Sequence, residues 1–532
     1  MQDNKPNLDT NYRFFSFSKY TIILLTIIGI SSIIRFYYFP IQVPLTADAL
    51  YYFWYSSDIY QIGELPNNWT PANNGWPIFV SAFFTVFDSK DVFTLMQIQR
   101  SLSVLMSILL IIPVYFLCKK FVARKFAVIG ASLVAFDPRL MINSFLGVTD
   151  PLYFLLISTG LVLFLSSNKK LVLCSFIPVS LAVVTRGEGI FFLIALFVLF
   201  FIKYRKEKYK VFFNYLIILT IVSLIIIPIT NYRIDVIGND PIFLRSINSA
   251  DEALVKVTGT GQTDWFTDNV NKRIFDGLKT LTQFLIWVMI PNFIIFLPLG
   301  IFLIFQNRNF EKNTIIISSG ILMIPAFYAY TFPAHPALDT RYLYVLFPMF
   351  AVLASLSIER IVRKLNRSNA IIIIIISAII VTSVLFYDYK KIDYEHEKES
   401  FEIMERVSTM INGTNILYPE TNYLTSIQTM NQWPNLYSEI QFNILIIPYG
   451  NDNSLQNFIL NSKDKGLTHI MIDDNKKRPD FLKELFIEEE KYTYLKKIYD
   501  SKNNGFEYQV KVFEINYELF NSLKDNMVLI QK

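Results

Sequence analysis

Eight ionisable side chains, Asp48, Asp137, Arg139, Asp150, Arg186, Glu188, Asp339 and Arg341, lie at or near the ends of long apolar runs in this 532-residue chain. Close to hydrocarbon such groups are costly, about 2.5 to 3.5 kcal/mol at a helix centre on insertion scales, so a set of them at one membrane face invites a functional reading. Asp48, in "PLTADALYYF", fits two compatible roles. It caps the start of an amphipathic helix, where an acidic residue contributes about 0.5 to 2 kcal/mol, or it acts as a general base, a carboxylate between apolar surface and water placed to take a proton from an alcohol. Asp137 precedes Pro138 and Asp150 precedes Pro151, the arrangement of a helix start. The structural role is favoured for Asp137; for Asp150 it stands beside a functional one. Arg139, Arg186 and Arg341 keep their charge and offer forked donors that suit a phosphate, with snorkelling to lipid headgroups as the alternative for Arg139.

Such residues need a scaffold, and the composition says which kind. The chain is 53% hydrophobic and only 17% charged, with a mean hydropathy of +0.37, too apolar for a soluble protein of this length. Apolar runs near 20–39, 99–118, 125–143, 150–167, 171–186, 188–203, 211–230, 281–305, 313–332, 341–359 and 369–387 predict a multi-pass α-helical membrane protein of about eleven transmembrane helices. Basic residues gather in alternate short loops, at Lys119 to Lys125, Lys169 and Lys170, Lys203 to Lys210, Arg308 to Lys312 and Arg360 to Arg367. The positive-inside rule then puts the N-terminus, residues 1–19, in the cytoplasm. The transmembrane domain runs over 20–387 with outer loops 40–98 and 231–280, and the eight ionisable residues fall on the outer face. Residues 388–532 are hydrophilic, mix short strands with helices, and predict an extracytoplasmic α/β domain. The net charge of +5 is explained by topology, which leaves no case for nucleic acid. Cys118 and Cys174 lack CxxC spacing and the three histidines are scattered, so neither a disulfide framework nor a zinc motif is present. "TGTGQTD" at 258–264 lacks the Lys-Ser/Thr of a phosphate-cradling loop.

Taken in order, these segments resemble the GT-C fold glycosyltransferases that use polyprenyl-phosphate sugars, nearest to the protein O-mannosyltransferase and aminoarabinose transferase type. "PLTADALYYF" is similar to the family's first-loop segment with its essential acid. "NNGWPIFVSAFFTVF" followed by "QRSLSVLMSILLIIPVYFLCKKF", then "AFDPRLMINSFLGVTDPLYFLLISTGLVLF", resemble its amphipathic helix and the spans that follow. "LAVVTRGEGIFFLIAL" resembles "LTRPEGL" with Gly187 in place of proline, and "DTRYLYVLFPMFAVLAS" resembles its late Arg-Tyr helix. The likeness covers about residues 20 to 360. No Trp-Trp-Asp motif occurs, which argues against an oligosaccharyltransferase catalytic subunit.

The resemblance implies an inverting transfer of a sugar from a polyprenyl-phosphate donor to a protein, lipid or glycan acceptor outside the cell membrane. It makes Asp48 the base and gives Arg186, Arg341 and Arg139 to the donor phosphate. Asp150 would orient the acceptor or place a divalent cation, Mg or Mn, and Tyr51, Tyr52 and Trp54 would contact sugar or lipid. A lipid-linked-glycan transporter or flippase would also bury charge, but near the midplane or within internal repeats. A glycan ligase is the alternative inside the enzyme class.

Overall fold

A computed structural model describes residues 19–530 apart from 68, 90, 208, 239–269, 307, 333–336, 365–367, 391–393, 415–421, 426–444, 448–453, 465 and 477. The glycine-rich 258–264 stretch and nearly all of the N-terminal segment lie outside the described residues. The chain divides into two compact units, one of Met1–Phe39, Tyr52–Asp88 and Ile98–Lys391, the other of Pro40–Tyr51, Ser89–Gln97 and Ile392–Lys532.

Among the described residues six helices are long and apolar enough to cross a membrane: Lys19–Tyr37, Val92–Lys119, Tyr209–Ile237, Phe310–Thr331, Thr340–Arg363 and Ala370–Tyr389. They coincide with six of the eleven expected runs. A seventh span arises if the bent pair Arg124–Ala135 and Pro138–Phe145 is counted as one. The 47° bend has a local cause: Pro138 has no N–H with which to continue the preceding helix, and the Asp137 carboxylate accepts instead from the amides of Arg139 (2.9 Å) and Leu140 (3.1 Å). The other runs are shorter than a span. Asp150–Phe164 has 15 residues and Gly189–Tyr204 has 16, while the run at 171–186 is split into Lys169–Cys174 and Phe176–Thr185. Fifteen residues reach about 22 Å along a helix axis, against a hydrocarbon core of about 30 Å. The expected loop 231–280 is also narrower than its polarity implied. The helix Tyr209–Ile237 continues through it at one end, and Val270–Met289 begins within it, carrying Lys272, Arg273, Asp276 and Lys279 on an amphipathic turn pattern.

The core of this unit is built around Arg124–Ala135, whose residues from Phe126 onward are all buried. A Cβ on Gly130 would collide with the side chains of Ser355 and Cys118, so glycine permits the close helix approach that small residues give in membranes. Arg35, 1% exposed, closes the end of this helix. It donates to the Ala135 carbonyl (2.7 Å), to Ser31 Oγ and to Ser107 Oγ (3.3 Å), supplying a donor to a helix end that otherwise leaves carbonyls unpaired.

The second unit carries a five-stranded sheet: β1 Asn422–Thr425, β2 Leu445–Ile447, β3 Leu467–Asp473, β4 Leu495–Asp500 and β5 Val510–Ile515, in the order β2-β1-β3-β5-β4. The first three run parallel and β5 is antiparallel to both its neighbours. The helices Leu455–Lys463 and Asp480–Ile487 accompany the sheet. They bury Phe458, Ile459, Leu482 and Leu485 with Ile470, Ile472 and Phe513 of the sheet. Within the expected outer loop 40–98, Pro40–Tyr51 and Ser89–Gln97 belong to this unit. There the Phe93 ring lies 5.9 Å from that of Phe401, a tertiary contact with no local sequence signal.

His469 on β3 is 8% exposed, and burial pushes its imidazole down from 6.5 to about 4. Between those values the unfolded chain takes up a proton that the native imidazole refuses, so acid removes stability as the pH falls through this window. The loss is at most about 3 kcal/mol. Proteolysis of the tail in the full-length protein should therefore accelerate between pH 6.5 and 4, and His469→Leu should flatten the dependence.

Candidate functional site

Asp150 is the first residue of the helix Asp150–Phe164 and is 1% exposed. The segment leading into it is held by its carbonyls: Arg100 Nε donates to Phe145 O (2.8 Å), and Gln99 Nε2 (2.8 Å) and Trp76 Nε1 (3.2 Å) both donate to Gly147 O. Its carboxylate accepts from Asn143 Nδ2 at 3.0 Å and from Arg186 Nη1. Arg186 ends the helix Phe176–Thr185 in extended backbone. From there it also donates from Nη2 (3.2 Å) and Nε (3.4 Å) to Glu188. The guanidinium lies 5.8 Å from the ring centroids of both Tyr153 and Tyr342, within cation–π range.

Asp150 and Arg186, both singled out from the sequence, are thus directly paired. Tyr52 joins them: its hydroxyl accepts from Asn73 Nδ2 at 3.2 Å and interacts electrostatically with Arg186. Arg341 stands next in the chain to Tyr342. Its backbone N–H and Nε both donate to Asp339, the former at 2.9 Å. Arg139 has different partners, donating to the Ile290 carbonyl and lying 5.0 Å from the Phe386 ring, and it is within electrostatic reach of Tyr344, which also senses Asp339. Asp137 keeps the capping role favoured from sequence.

Asp48 occupies the first turn of the helix Ala47–Ile62 and is exposed. Ala47 before it has φ 48°, a left-handed conformation that costs a residue bearing a Cβ about 1 to 2 kcal/mol. Strain of this kind gathers at functional sites. Tyr51 is 44% exposed, whereas Trp54 is half-buried with its ring 6.3 Å from that of Phe53.

Three acids, Asp150, Glu188 and Asp339, face two cations, Arg186 and Arg341, so this group carries one negative charge. Arg186 therefore attracts an anion through hydrogen bonding more than through net field. Of the five N–H donors of a guanidinium, three serve Asp150 and Glu188, and two remain on a side chain that is 20% exposed. A metal fits less well. Both nearby carboxylates are engaged by Arg186, and among the described residues no group of three or more His, Cys, Asp or Glu side chains is arranged to hold an ion. Tyr153, Tyr342, Asn73 and Asn143 were not among the expected site residues. Tyr153 had a signal in standing one helical turn after Asp150, and Tyr342 in following Arg341 directly.

No family model matches this chain, and no curated protein matches it in sequence. Solved structures do. ArnT from Cupriavidus metallidurans bound to undecaprenyl phosphate superposes with a TM-score of 0.57 at 10% identity, over 93% of this chain and 98% of that one. The Archaeoglobus fulgidus oligosaccharyltransferase AglB, in complex with an inhibitory peptide and a dolichol-phosphate, gives 0.56 at 13% identity over 85% of this chain and 69% of that one. Both are GT-C fold glycosyltransferases. This chain has the GT-C fold. The same oligosaccharyltransferase in complex with Zn and sulfate matches at a TM-score of 0.57 and 13% identity, over 84% of this chain and 68% of that one. At these identities the GT-C likeness speaks for the architecture. With its apolar helices, it makes the chain an integral membrane protein.

Proposed function

We propose that this protein is a membrane glycosyltransferase that moves a sugar from a polyprenyl-phosphate donor to an acceptor hydroxyl at the extracytoplasmic face. The observation that carries the reading is the partly exposed Arg186, fixed by Asp150 and Glu188 and flanked by Tyr153 and Tyr342, on the GT-C fold. In this reading the eleven-helix topology holds with the shorter helices counted, and the sheet-bearing tail is an extracytoplasmic domain.

The acceptor oxygen attacks the anomeric carbon from the face opposite the phosphate, giving inversion. The bond from that carbon to the phosphate oxygen breaks, the electron pair leaves with the phosphate, and the acceptor proton passes to the Asp48 carboxylate. The two remaining Arg186 donors, with Arg341, stabilise the charge growing on the leaving phosphate. Arg139 supports the same face at longer range. Asp150 fixes the Arg186 fork, which deepens its role from orienting the acceptor to orienting the cation. Tyr51, Tyr52 and Trp54 offer ring faces for sugar or lipid.

The test uses the full-length protein in lipid nanodiscs, titrated with undecaprenyl phosphate and then supplied with undecaprenyl-phosphate-linked mannose or aminoarabinose and candidate acceptors. Saturable binding of the carrier, and its release in free form with a glycosylated product detected by mass spectrometry, is the expected result. Failure to bind undecaprenyl phosphate would overturn the reading.

A further inference from the structure

Resting on the reading of Arg186 as the phosphate ligand, we propose that Asn73 is a positioning residue for that arginine, and that Arg233 holds Asn73 in place through its neighbour Asn74. Three successive residues, Asn73, Asn74 and Gly75, each do a different job against the turn at 185–187. Asn73 Oδ1 accepts the Gly187 N–H at 3.1 Å, while its Nδ2 donates to the Tyr52 hydroxyl at 3.2 Å. One side-chain amide therefore ties the peptide after Arg186 to the phenol that interacts with the Arg186 charge.

Gly75 lets the segment reach that turn. A Cβ there would come within 2.8 Å of the Thr185 amide nitrogen, closer than real Cβ contacts, so the backbone at 75 sits directly on the backbone at 185. Asn74 anchors the segment from the other side. It is fully buried, donates to Thr70 Oγ1 (2.8 Å) and to the Tyr55 hydroxyl (3.2 Å), and accepts from Arg233 Nη1. Arg233, 1% exposed near the end of the helix Tyr209–Ile237, also donates to the Pro71 carbonyl at 2.7 Å. Beside it, Tyr232 shares a 2.6 Å hydrogen bond with Tyr55 and donates to the Pro66 carbonyl. The chain of contacts is therefore continuous from that helix through Asn74 and Asn73 to Gly187. The links from Arg233 to Asn74 and Pro71 are buried, the condition under which a hydrogen bond fixes geometry most firmly, and those from Asn73 to Gly187 and Tyr52 are part-buried. Asn73 touches neither Asp150 nor the guanidinium in any hydrogen bond described above, so it acts through the turn.

The experiment has two arms on the full-length protein in nanodiscs, with undecaprenyl phosphate as the probe. Asn73→Leu, close in shape but without polar atoms, should weaken the probe's binding about tenfold, the worth of one or two hydrogen bonds. It should also speed amide exchange across residues 183–190. In an Arg186→Ala background the same substitution should cost no further affinity, the non-additivity expected when one residue acts through another. Asn73→Ser provides a milder version should the leucine variant fold poorly, and Arg233→Lys, which keeps charge but loses the fork, should speed exchange in the same segment. Unchanged exchange at 183–190, or a loss of affinity that persists without Arg186, overturns the proposal. If the wild-type protein itself takes up no undecaprenyl phosphate, the sugar-transfer reading falls, while the exchange arm still decides whether Asn73 holds the Arg186 turn.

Discussion

Arg186→Ala is expected to weaken affinity for undecaprenyl phosphate about a hundredfold, the worth of two hydrogen bonds from a charged donor, and to lower the melting temperature of the protein together. The two effects have different origins. The Asp150 side chain is 2% exposed and its Oδ1 is paired with Arg186. Removing one partner of a buried pair strands the other, at a cost of about 3 to 5 kcal/mol. The loss of affinity comes instead from the two donors that Asp150 and Glu188 leave over. Asp150→Asn in the same background separates them: the neutral amide no longer needs a cation, so the melting temperature should recover while the affinity stays weak. Intrinsic fluorescence during heating and titration with the lipid phosphate read the two quantities independently. An Arg186→Ala protein that bound the lipid phosphate as the wild type does would remove Arg186 from the phosphate role. Arg186→Lys should behave almost as badly, because a single ammonium cannot bridge two carboxylates and still present a fork to a phosphate.

The pairing at the centre of that argument was only half legible in the sequence. Asp150 and Arg186 each stood out because an ionisable group beside an apolar run is costly, but nothing local says that residues 36 apart should meet. What was readable was what depends on neighbours in the chain. Six apolar runs are long enough to span and are helices of that length. Asp137 before Pro138 caps a helix as the dipeptide implies. Where the pattern misled, the reason was an interruption that hydropathy averages over. Pro138 bends one run, and the run at 281–305 is divided between Val270–Met289 and Leu297–Phe305 around Pro291. At Val270 the helix begins in residues too polar to register as apolar, because one face of an amphipathic helix conceals the other from a window average. Asn73 was invisible for a further reason: a neutral amide has no sequence signature until its partners are known, and those partners, Tyr52 and Gly187, come from two separate segments. The assignment of Pro40–Tyr51 and Ser89–Gln97 to the second unit is of the same kind.

Asp48→Asn is expected to lower the rate of sugar transfer by about 10² to 10⁴, the usual contribution of a positioned general base, while leaving the melting temperature and the affinity for undecaprenyl phosphate unchanged. The choice of asparagine gives the experiment its power. Asp48 sits in the first turn of its helix, and asparagine matches its shape and still accepts a hydrogen bond there, so the start of the helix survives the substitution. An amide cannot take a proton from an alcohol, so only the chemical role is lost. A variant that is stable, binds the carrier and fails to transfer isolates the base; one that transfers normally reduces Asp48 to a cap and leaves the attacking hydroxyl without an assigned proton acceptor.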